Sequence, residues 1–214
     1  MSTYNIVART NESTVVTEYV PTQARAASYQ SEAELEKEFI KILCNQGYTY
    51  LPIHTEADLI KNLRQQLEIL NNYQFSDSEW EHFFKEVLAN PNEDIKEKTF
   101  RLQEGNSQQD LIRDDGSHKN IILLDKIDIH NNRLQVINQY VISSDQGARY
   151  DNRYDVTILV NGLPMIHIEL KRRGVPIREA FNQINRYQRD SFWASSGLYQ
   201  FVQIFVISNG TNTK

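Results

Sequence analysis

Five residues in the second half of the chain have types and spacings suited to hydrolytic chemistry: Asp155, Glu169, Lys171, Gln183 and Tyr187. Glu169 and Lys171 are two positions apart, so in a β-strand their side chains share one face. Neighbouring carboxylates repel each other, and hard oxygen ligands favour Mg²⁺ over zinc. Such a cation can polarise a phosphodiester and activate water, while Lys171 can hold the attacking hydroxide. The pattern predicts a Mg²⁺-dependent hydrolase with Asp155 and Glu169 as metal ligands.

The stretch RYDVTILVNGLPMIHIELKRR predicts two strands joined by an Asn161-Gly162 turn. Alternation gives one apolar face and one polar face, the latter comprising Asp155, Thr157, His167, Glu169 and Lys171. A two-residue turn in unbroken register would set Asp155 opposite Ile168, and the apolar faces would not match. A three-residue loop or a β-bulge is therefore needed to bring Asp155 opposite Glu169.

The polar face also has a simpler interpretation, in which a half-exposed hairpin shows ordinary charged residues to solvent. On that interpretation the carboxylates have no chemical role. We expect His167, on the same face, to be a bystander and not a ligand. The following residues weigh against it, because residues 171–190 hold six basic and two acidic side chains. Gln183 and Tyr187 lie four residues apart on a predicted helix, where both can reach one phosphate or Lys171. Arg172 and Arg186 are candidate DNA contacts, and a solvated helix flank is the alternative for this region.

The elements that must position these residues are helices first and strands afterwards. Three helices are predicted from capping patterns at Ser31 and Ser76, a similar pattern at Thr55, and the helical spacing of the apolar residues that follow. A fourth helix is predicted over 93–103. Strand patterns cover 121–124, 134–142, 154–160, 165–171 and 201–207, and a helix is predicted over 177–193. This order predicts an α/β fold bordering on α+β. We divide one compact domain into a lead-in strand pair (1–30), an acidic helical part (31–115) and a core (116–214).

The charged residues are unevenly distributed along the 214 residues, whose formal net charge is −5. Net charges are 0 for residues 1–30, −9 for 31–115 and +4 for 116–214. The overall acidity therefore does not exclude nucleic acid as a partner, because the basic residues gather behind the carboxylate pair. The single cysteine, Cys44, excludes an internal disulfide, and the polar first twenty residues contain neither a signal peptide nor a spanning helix. We expect a cytoplasmic protein with no membrane association.

Several stretches together resemble a known family. Asp155, Glu169-Leu170-Lys171 and the Gln183/Tyr187 pair resemble the PD-(D/E)xK nucleases that carry a Q-x-x-x-Y helix. NGLPMIHIELKRR, NIVARTNESTVVTEYV, SEAELEKEFIKILCNQGY and VISNGTNTK resemble the N-terminal nuclease region of the restriction (HsdR) subunit of type I restriction-modification enzymes. The resemblance covers nearly the whole chain.

The resemblance implies a restriction-endonuclease-like mixed β-sheet core flanked by helices. It implies that Asp155 and Glu169 bind the metal, that Lys171 is catalytic, and that Gln183 and Tyr187 support DNA contact and site geometry. Tyr154 stands where the superfamily has proline, which weakens the motif without removing a chemical group. Some members add a carboxylate from an early helix, for which Glu34 and Glu38 are both candidates.

The implied activity is that of a type I site-specific deoxyribonuclease, cutting DNA without sequence readout of its own. In such enzymes the nuclease region joins an ATP-driven motor, and modification and specificity subunits complete the complex. The sequence has no G-x-x-x-x-G-K-[ST] loop, so ATP is expected only in the full-length subunit, of which this chain would be a fragment. Two alternatives remain open: a stand-alone repair or recombination nuclease of the same superfamily, and a non-catalytic subunit-docking module.

Overall fold

The computed structural model describes residues 3–9, 15–20, 30–104, 107–142 and 151–214 and has the α/β architecture that the sequence predicts. The helices are α1 (Glu32–Asn45), α2 (Glu56–Asn71), α3 (Asp77–Phe83), α4 (Ile95–Gln103) and α5 (Ile177–Asp190). The strands are β1 (Thr3–Arg9), β2 (Val15–Val20), β3 (Thr49–Tyr50), β4 (Gln108–Ile112), β5 (His118–Ile122), β6 (Leu134–Ile142), β7 (Asn152–Val160), β8 (Leu163–Leu170) and β9 (Ile204–Ser208).

The helix starts follow the predicted capping signals. The hydroxyls of Ser31 and Ser76 each accept a hydrogen bond from the main-chain N–H three residues on. The carboxylates of Glu34 and Glu79 accept from the main-chain N–H of these serines, which completes two capping boxes. Thr55 caps α2 by accepting from the main-chain N–H of Asp58. A π-helical turn over Phe84–Leu88 extends α3, and nothing in the sequence pattern signals it.

The central sheet has five strands in the order β3-β6-β7-β8-β9. The β6-β7-β8 part is antiparallel, while β3 on β6 and β9 on β8 are parallel, so the sheet is mixed. The parallel β8-β9 pair requires a crossover, which α5 supplies. Two further antiparallel pairs, β1-β2 and β4-β5, form separate two-stranded sheets. The predicted strand pair at the start of the chain is thereby confirmed, and its turn lies outside the described residues.

The β7-β8 hairpin solves its register problem with a bulge. Asn161 and Gly162 form the two-residue turn, both with positive φ, as a type I′ turn requires. Val160 pairs with Leu163 and Leu159 with Pro164, but Ile158 pairs with Ile166, so Met165 is the extra residue. Past this bulge Val156 pairs with Ile168, which sets Asp155 level with Glu169. Of the two solutions that the sequence allows, the bulge is the one adopted.

Both faces of the sheet are covered. On one face Val136, Val156, Ile158, Ile168 and Leu170 pack under α1 through Leu35, Phe39, Ile40 and Leu43. The other face lies under α2, α5 and the 3-10 turn at Leu198–Phe201, in a larger core that extends to α4. The interpretation of the polar hairpin face as solvated is therefore wrong, because His167 and Glu169 are 0% exposed and Thr157 is 1% exposed.

Some element boundaries differ from the sequence-based prediction. The last strand begins at Ile204 because Leu198–Phe201 forms a 3-10 turn, and α5 ends at Asp190 instead of Trp193. Strands β3 and β4 were not predicted: β3 has two residues, and QQDLI in β4 has no alternating apolar pattern. None of the helices described is long and apolar enough to cross a membrane.

Candidate functional site

The β7-β8 ladder ends at Val156 and Ile168, and Asp155 begins the candidate site there. The main-chain N–H of Leu170 donates a 2.9 Å hydrogen bond to Oδ2 of Asp155. Gln139 of β6, whose neighbours pair on either side of Asp155, has the left-handed φ of 52°. The regular ladder thus gives way to side-chain hydrogen bonding at the residue expected to bind the metal.

Glu169 and Lys171 lie at the adjoining end of β8. The ammonium group of Lys171 is 3.0 Å from Oε1 of Glu169 and is mostly buried. The main-chain N–H of Lys171 donates to Ser208 of β9, so the parallel strand pair fixes its backbone. The structure therefore brings Asp155, Glu169 and Lys171 together as the sequence predicts.

Burial shifts the pKa values of both carboxyl groups upward. Loss of hydration raises the pKa of Asp155 to about 7, and the charge of Glu169 adds to this, against the Leu170 hydrogen bond. Loss of hydration also raises the pKa of Glu169 to about 6, although the Lys171 ammonium opposes it. A cation between these groups would relieve both costs, which is the electrostatic signature of a metal-binding pair.

Gln183 and Tyr187 share the α5 face that is turned toward the sheet, as their spacing predicts. Gln183 donates to the phenol oxygen of Tyr187, which itself donates a 2.9 Å hydrogen bond to the carbonyl of Arg153. Tyr187 is 1% exposed, so it does not lie on a solvated flank. Its hydroxyl holds β7 two residues before Asp155 and is engaged there instead of with Lys171.

Tyr154, at the position where the superfamily that the motif resembles has proline, packs in an aromatic cluster of the core. Its ring contacts those of Tyr140, His167, Tyr187, Phe192 and Tyr199. Its hydroxyl lies 2.6 Å from that of Ser191, just after α5. This aromatic residue ties β7 to α5 by packing, a role that composition and spacing do not reveal.

The two predicted DNA-contact arginines are exposed. Arg186 lies over the ring of Tyr187, with its guanidinium 5.3 Å from the ring centroid. Arg172 follows Lys171 directly, and its main-chain N–H donates to Glu32 of α1. Both side chains are available to an anionic partner beside the carboxylates.

Helix α1 approaches the site through Glu32 and Glu36, whereas the two candidates named from the sequence face elsewhere. Glu34 is occupied in the capping box, and Glu38 accepts from Gln30. The charge of Glu36 raises the pKa of Asp155, and that of Glu32 raises the pKa of Glu169.

Helix periodicity could have identified Glu32 and Glu36, because they share a face with Phe39 and Leu43. Phe39 and Leu43 pack on the sheet, so the face that carries them also turns the two carboxylates toward β6, β7 and β8. Asn138 and Gln139 of β6 donate to the Glu36 carboxylate, which fixes it near Asp155.

The donor set fits Mg²⁺. No group of three or more His, Cys, Asp or Glu side chains with metal-site geometry occurs in the part of the chain that the structure describes. Mg²⁺ does not need one, since it is usually held by one or two carboxylates together with water and substrate phosphate. A buried oxygen of Glu169, Oε2, makes no hydrogen bond within the described residues.

The sequence-family model for the type I restriction enzyme R protein N terminus matches residues 29–214 of this chain. The chain belongs to this family. It is 44% identical over 209 residues to the type I restriction enzyme EcoprrI endonuclease subunit of Escherichia coli, covering 97% of this chain and 65% of that protein. It is 37% identical over 191 residues to the type I restriction enzyme SsaAORF53P endonuclease subunit of Staphylococcus saprophyticus, covering 87% of this chain and 19% of that protein.

A more distant relative also carries a type I restriction enzyme name. A putative type I restriction enzyme endonuclease subunit of Methanocaldococcus jannaschii is 27% identical over 131 residues. The chain spans about two thirds of the E. coli relative and about a fifth of the staphylococcal one. The R protein family and the name endonuclease subunit agree with the resemblance that the four longer stretches carry, while the PD-(D/E)xK resemblance stays a prediction.

Proposed function

We propose that this chain is the Mg²⁺-dependent DNA endonuclease domain of a type I restriction enzyme R subunit. The convergence of Asp155, Glu169 and Lys171 at one end of the β7-β8 hairpin supports this proposal most strongly. Three charged groups from three sequence positions share one buried corner, which a solvated hairpin or a purely docking module does not require. The relatives' names give the reaction class.

In this proposal Asp155 and Glu169 would hold the cation, which when bound would polarise the phosphodiester and activate a water molecule. Lys171 places a positive charge beside Glu169, where it can hold the attacking hydroxide and offset the charge that develops on the phosphate. The hydroxide adds to phosphorus as the bridging oxygen leaves, so one phosphodiester bond is hydrolysed. Arg172 and Arg186 bind the DNA backbone without reading base sequence. Gln183 and Tyr187 hold β7 in place.

The remaining functions of the enzyme belong to the rest of the complex. An ATP-driven motor in the full-length R subunit would translocate DNA, and modification and specificity subunits would select the target. We place the complex in the cytoplasm. A nuclease delivered by such partners needs only the modest basic strip seen between Lys171 and Arg189.

The test uses Asp155→Ala, Glu169→Ala and Lys171→Ala in the assembled enzyme. We expect each variant to lose DNA cleavage while ATP hydrolysis continues. Glu179→Ala, which replaces an exposed acidic residue of α5, is the control and should leave cleavage unchanged. Cleavage at the wild-type rate by all three variants would reject the proposal. Cleavage by the isolated chain without ATP or partners would favour a stand-alone nuclease instead. Absence of any Mg²⁺ or Mn²⁺ binding dependent on Asp155 and Glu169 would favour a docking module.

A further inference from the structure

The most unusual polar contact in the core is between His167 and Glu169, two positions apart on β8. Both side chains are 0% exposed, and Nε2 of His167 lies 3.5 Å from Oε2 of Glu169. Within the described residues neither ring nitrogen of His167 makes a hydrogen bond, and neither does this carboxylate oxygen. Buried polar atoms are nearly always paired, so three unpaired atoms in one contact require an explanation.

The imidazole is held by rings on several sides. Its centroid is 5.3 Å from that of Tyr154, 5.8 Å from Phe192 and 5.9 Å from Tyr187, with Tyr199 and Phe205 at 6.5 Å. Three of these contacts come from β7, α5 and the segment after α5, so the ring has little freedom to turn. A neutral imidazole carries a single N–H, which in this contact can point from Nε2 toward the Glu169 carboxylate.

The two carboxylate oxygens of Glu169 have different polar neighbours. Oε1 accepts from Lys171 at 3.0 Å, while Oε2 makes no hydrogen bond within the described residues and lies 3.5 Å from Nε2 of His167. A hydrogen bond needs a separation of about 2.7–3.2 Å, so a movement of a few tenths of an ångström would close the contact. Lys171 and His167 then flank the carboxylate from opposite sides and fix its plane.

We propose that His167 is a positioning residue that donates its Nε2 proton to Oε2 of Glu169 and so orients this carboxylate toward a divalent cation shared with Asp155. This inference rests on the proposed function. His167 itself is not a ligand here, because it lies behind Glu169 in a closed aromatic environment and Mg²⁺ prefers oxygen. The arrangement follows the general rule that hydrogen bonds to a ligand's far side tune metal binding.

The test compares His167→Leu with His167→Gln in the 214-residue chain. Leucine fills much of the space without a donor, whereas the glutamine amide keeps a donor at similar reach. We expect His167→Leu to weaken Mg²⁺ or Mn²⁺ binding, measured by calorimetric titration, by about 10- to 100-fold. His167→Gln should restore most of the affinity. The thermal midpoint of the metal-free His167→Leu protein should not fall, because the 3.5 Å contact between Nε2 and Oε2 is too long for a full hydrogen bond to be lost.

A lower thermal midpoint for His167→Leu with unchanged metal affinity would overturn the inference, because it would show that His167 only fills space in the core. If metal binding by the wild type still depends on Asp155, the proposed function stands although the role inferred for His167 fails. A second measurement uses the wild-type protein and therefore does not require that the variants fold. Long-range ¹⁵N–¹H NMR of the wild type should show the His167 proton on Nε2, and this resonance should move when Mg²⁺ is added. A proton on Nδ1 contradicts the proposed hydrogen bond.

Discussion

Oδ2 of Asp155 accepts the main-chain N–H of Leu170, so a side-chain carboxylate takes over from a backbone carbonyl where β7 and β8 part. The bond joins the proposed ligand on one strand to the residue between Glu169 and Lys171 on the other. The geometry of the site is therefore a property of the hairpin, and variants of the hairpin should change metal binding and stability in separable ways.

Asp155→Asn should change how stability depends on pH. The Asp155 carboxyl has a pKa near 4 when unfolded and about 7 when folded, so the folded state binds the extra proton between these values. This contribution to the free energy of unfolding is fully present below pH 4 and is lost as pH rises through 7. Without metal, the thermal midpoint of Asp155→Asn should exceed that of the wild type at pH 8, and the difference should shrink toward pH 4.

His167 acts in the reverse direction over part of this range, because a lowered pKa makes the folded state lose stability as pH falls below about 6.5. It is present in both proteins, so the difference between them reports Asp155 together with its effects on the pKa values of His167 and Glu169. For a chain of this size each 1 kcal/mol corresponds to about 2–4 °C. Parallel curves for the two proteins from pH 4 to 8 would contradict the raised pKa of Asp155.

Tyr187→Phe should lower cleavage more than its effect on stability suggests. The variant keeps the ring contacts but removes the hydrogen bond to the Arg153 carbonyl, two residues before Asp155. We expect a loss of about 1–2 kcal/mol in the free energy of unfolding and a clear drop in cleavage by the assembled enzyme. Tyr199→Phe is the matched control, because its hydroxyl pairs with Thr157 in the same cluster at 3.1 Å. Equal cleavage by both variants would show that Tyr187 is structural only.

Gly162→Ala should destabilise the fold through a steric clash. An added Cβ would lie 2.6 Å from Cα of Leu63 in α2, at a φ of 83° that alanine rarely adopts. Gly116→Ala, in the β4-β5 turn, has a similar φ of 79° but open space around the added Cβ. Chemical denaturation should show a loss of about 1 kcal/mol for Gly116→Ala and a larger loss for Gly162→Ala. Equal losses would mean that α2 moves aside at little cost.

Glu36→Gln should weaken metal binding electrostatically, since the Glu36 charge acts on Asp155. The amide keeps an acceptor for Asn138 while removing the negative charge. We expect a loss of several-fold in Mg²⁺ affinity at low ionic strength, which should diminish as salt is added. Glu38→Gln, on the opposite face of α1, supplies the control. A calorimetric titration that gives the same affinity for both variants would remove Glu36 from the electrostatics of the site.

The sequence predicted the elements whose causes are local. Ser31 and Ser76 supply their own capping hydrogen bonds, and Asn161-Gly162 supplies the positive φ values of its turn. The parity of the apolar residues even required a register shift between Asp155 and the turn. These features depend on neighbours within a few residues, which a sequence displays directly.

The features that were missed depend on distant packing. Nothing near His167 indicates that α5 and the turn at Leu198–Phe201 cover the polar face of the hairpin. The hydroxyl of Tyr187 could have faced solvent, Lys171 or the Arg153 carbonyl with the same spacing on α5. Tyr154 became the centre of an aromatic cluster because residues from five other segments meet there. Among these features, only the positions of Glu32 and Glu36 follow from local helix periodicity, because both share a face with the apolar residues of α1.

The single extra residue at Met165 has a consequence for sequence change in this hairpin. Deleting Met165 would restore an unbroken register and set Asp155 opposite Ile168, turning Glu169 and Lys171 to the face that α1 now covers. Insertion of one residue elsewhere between Asn161 and Ile166 could restore the register after such a deletion. A change in length by one residue would thus be tolerated only in compensated pairs, although every one of the chemically active side chains would still be encoded.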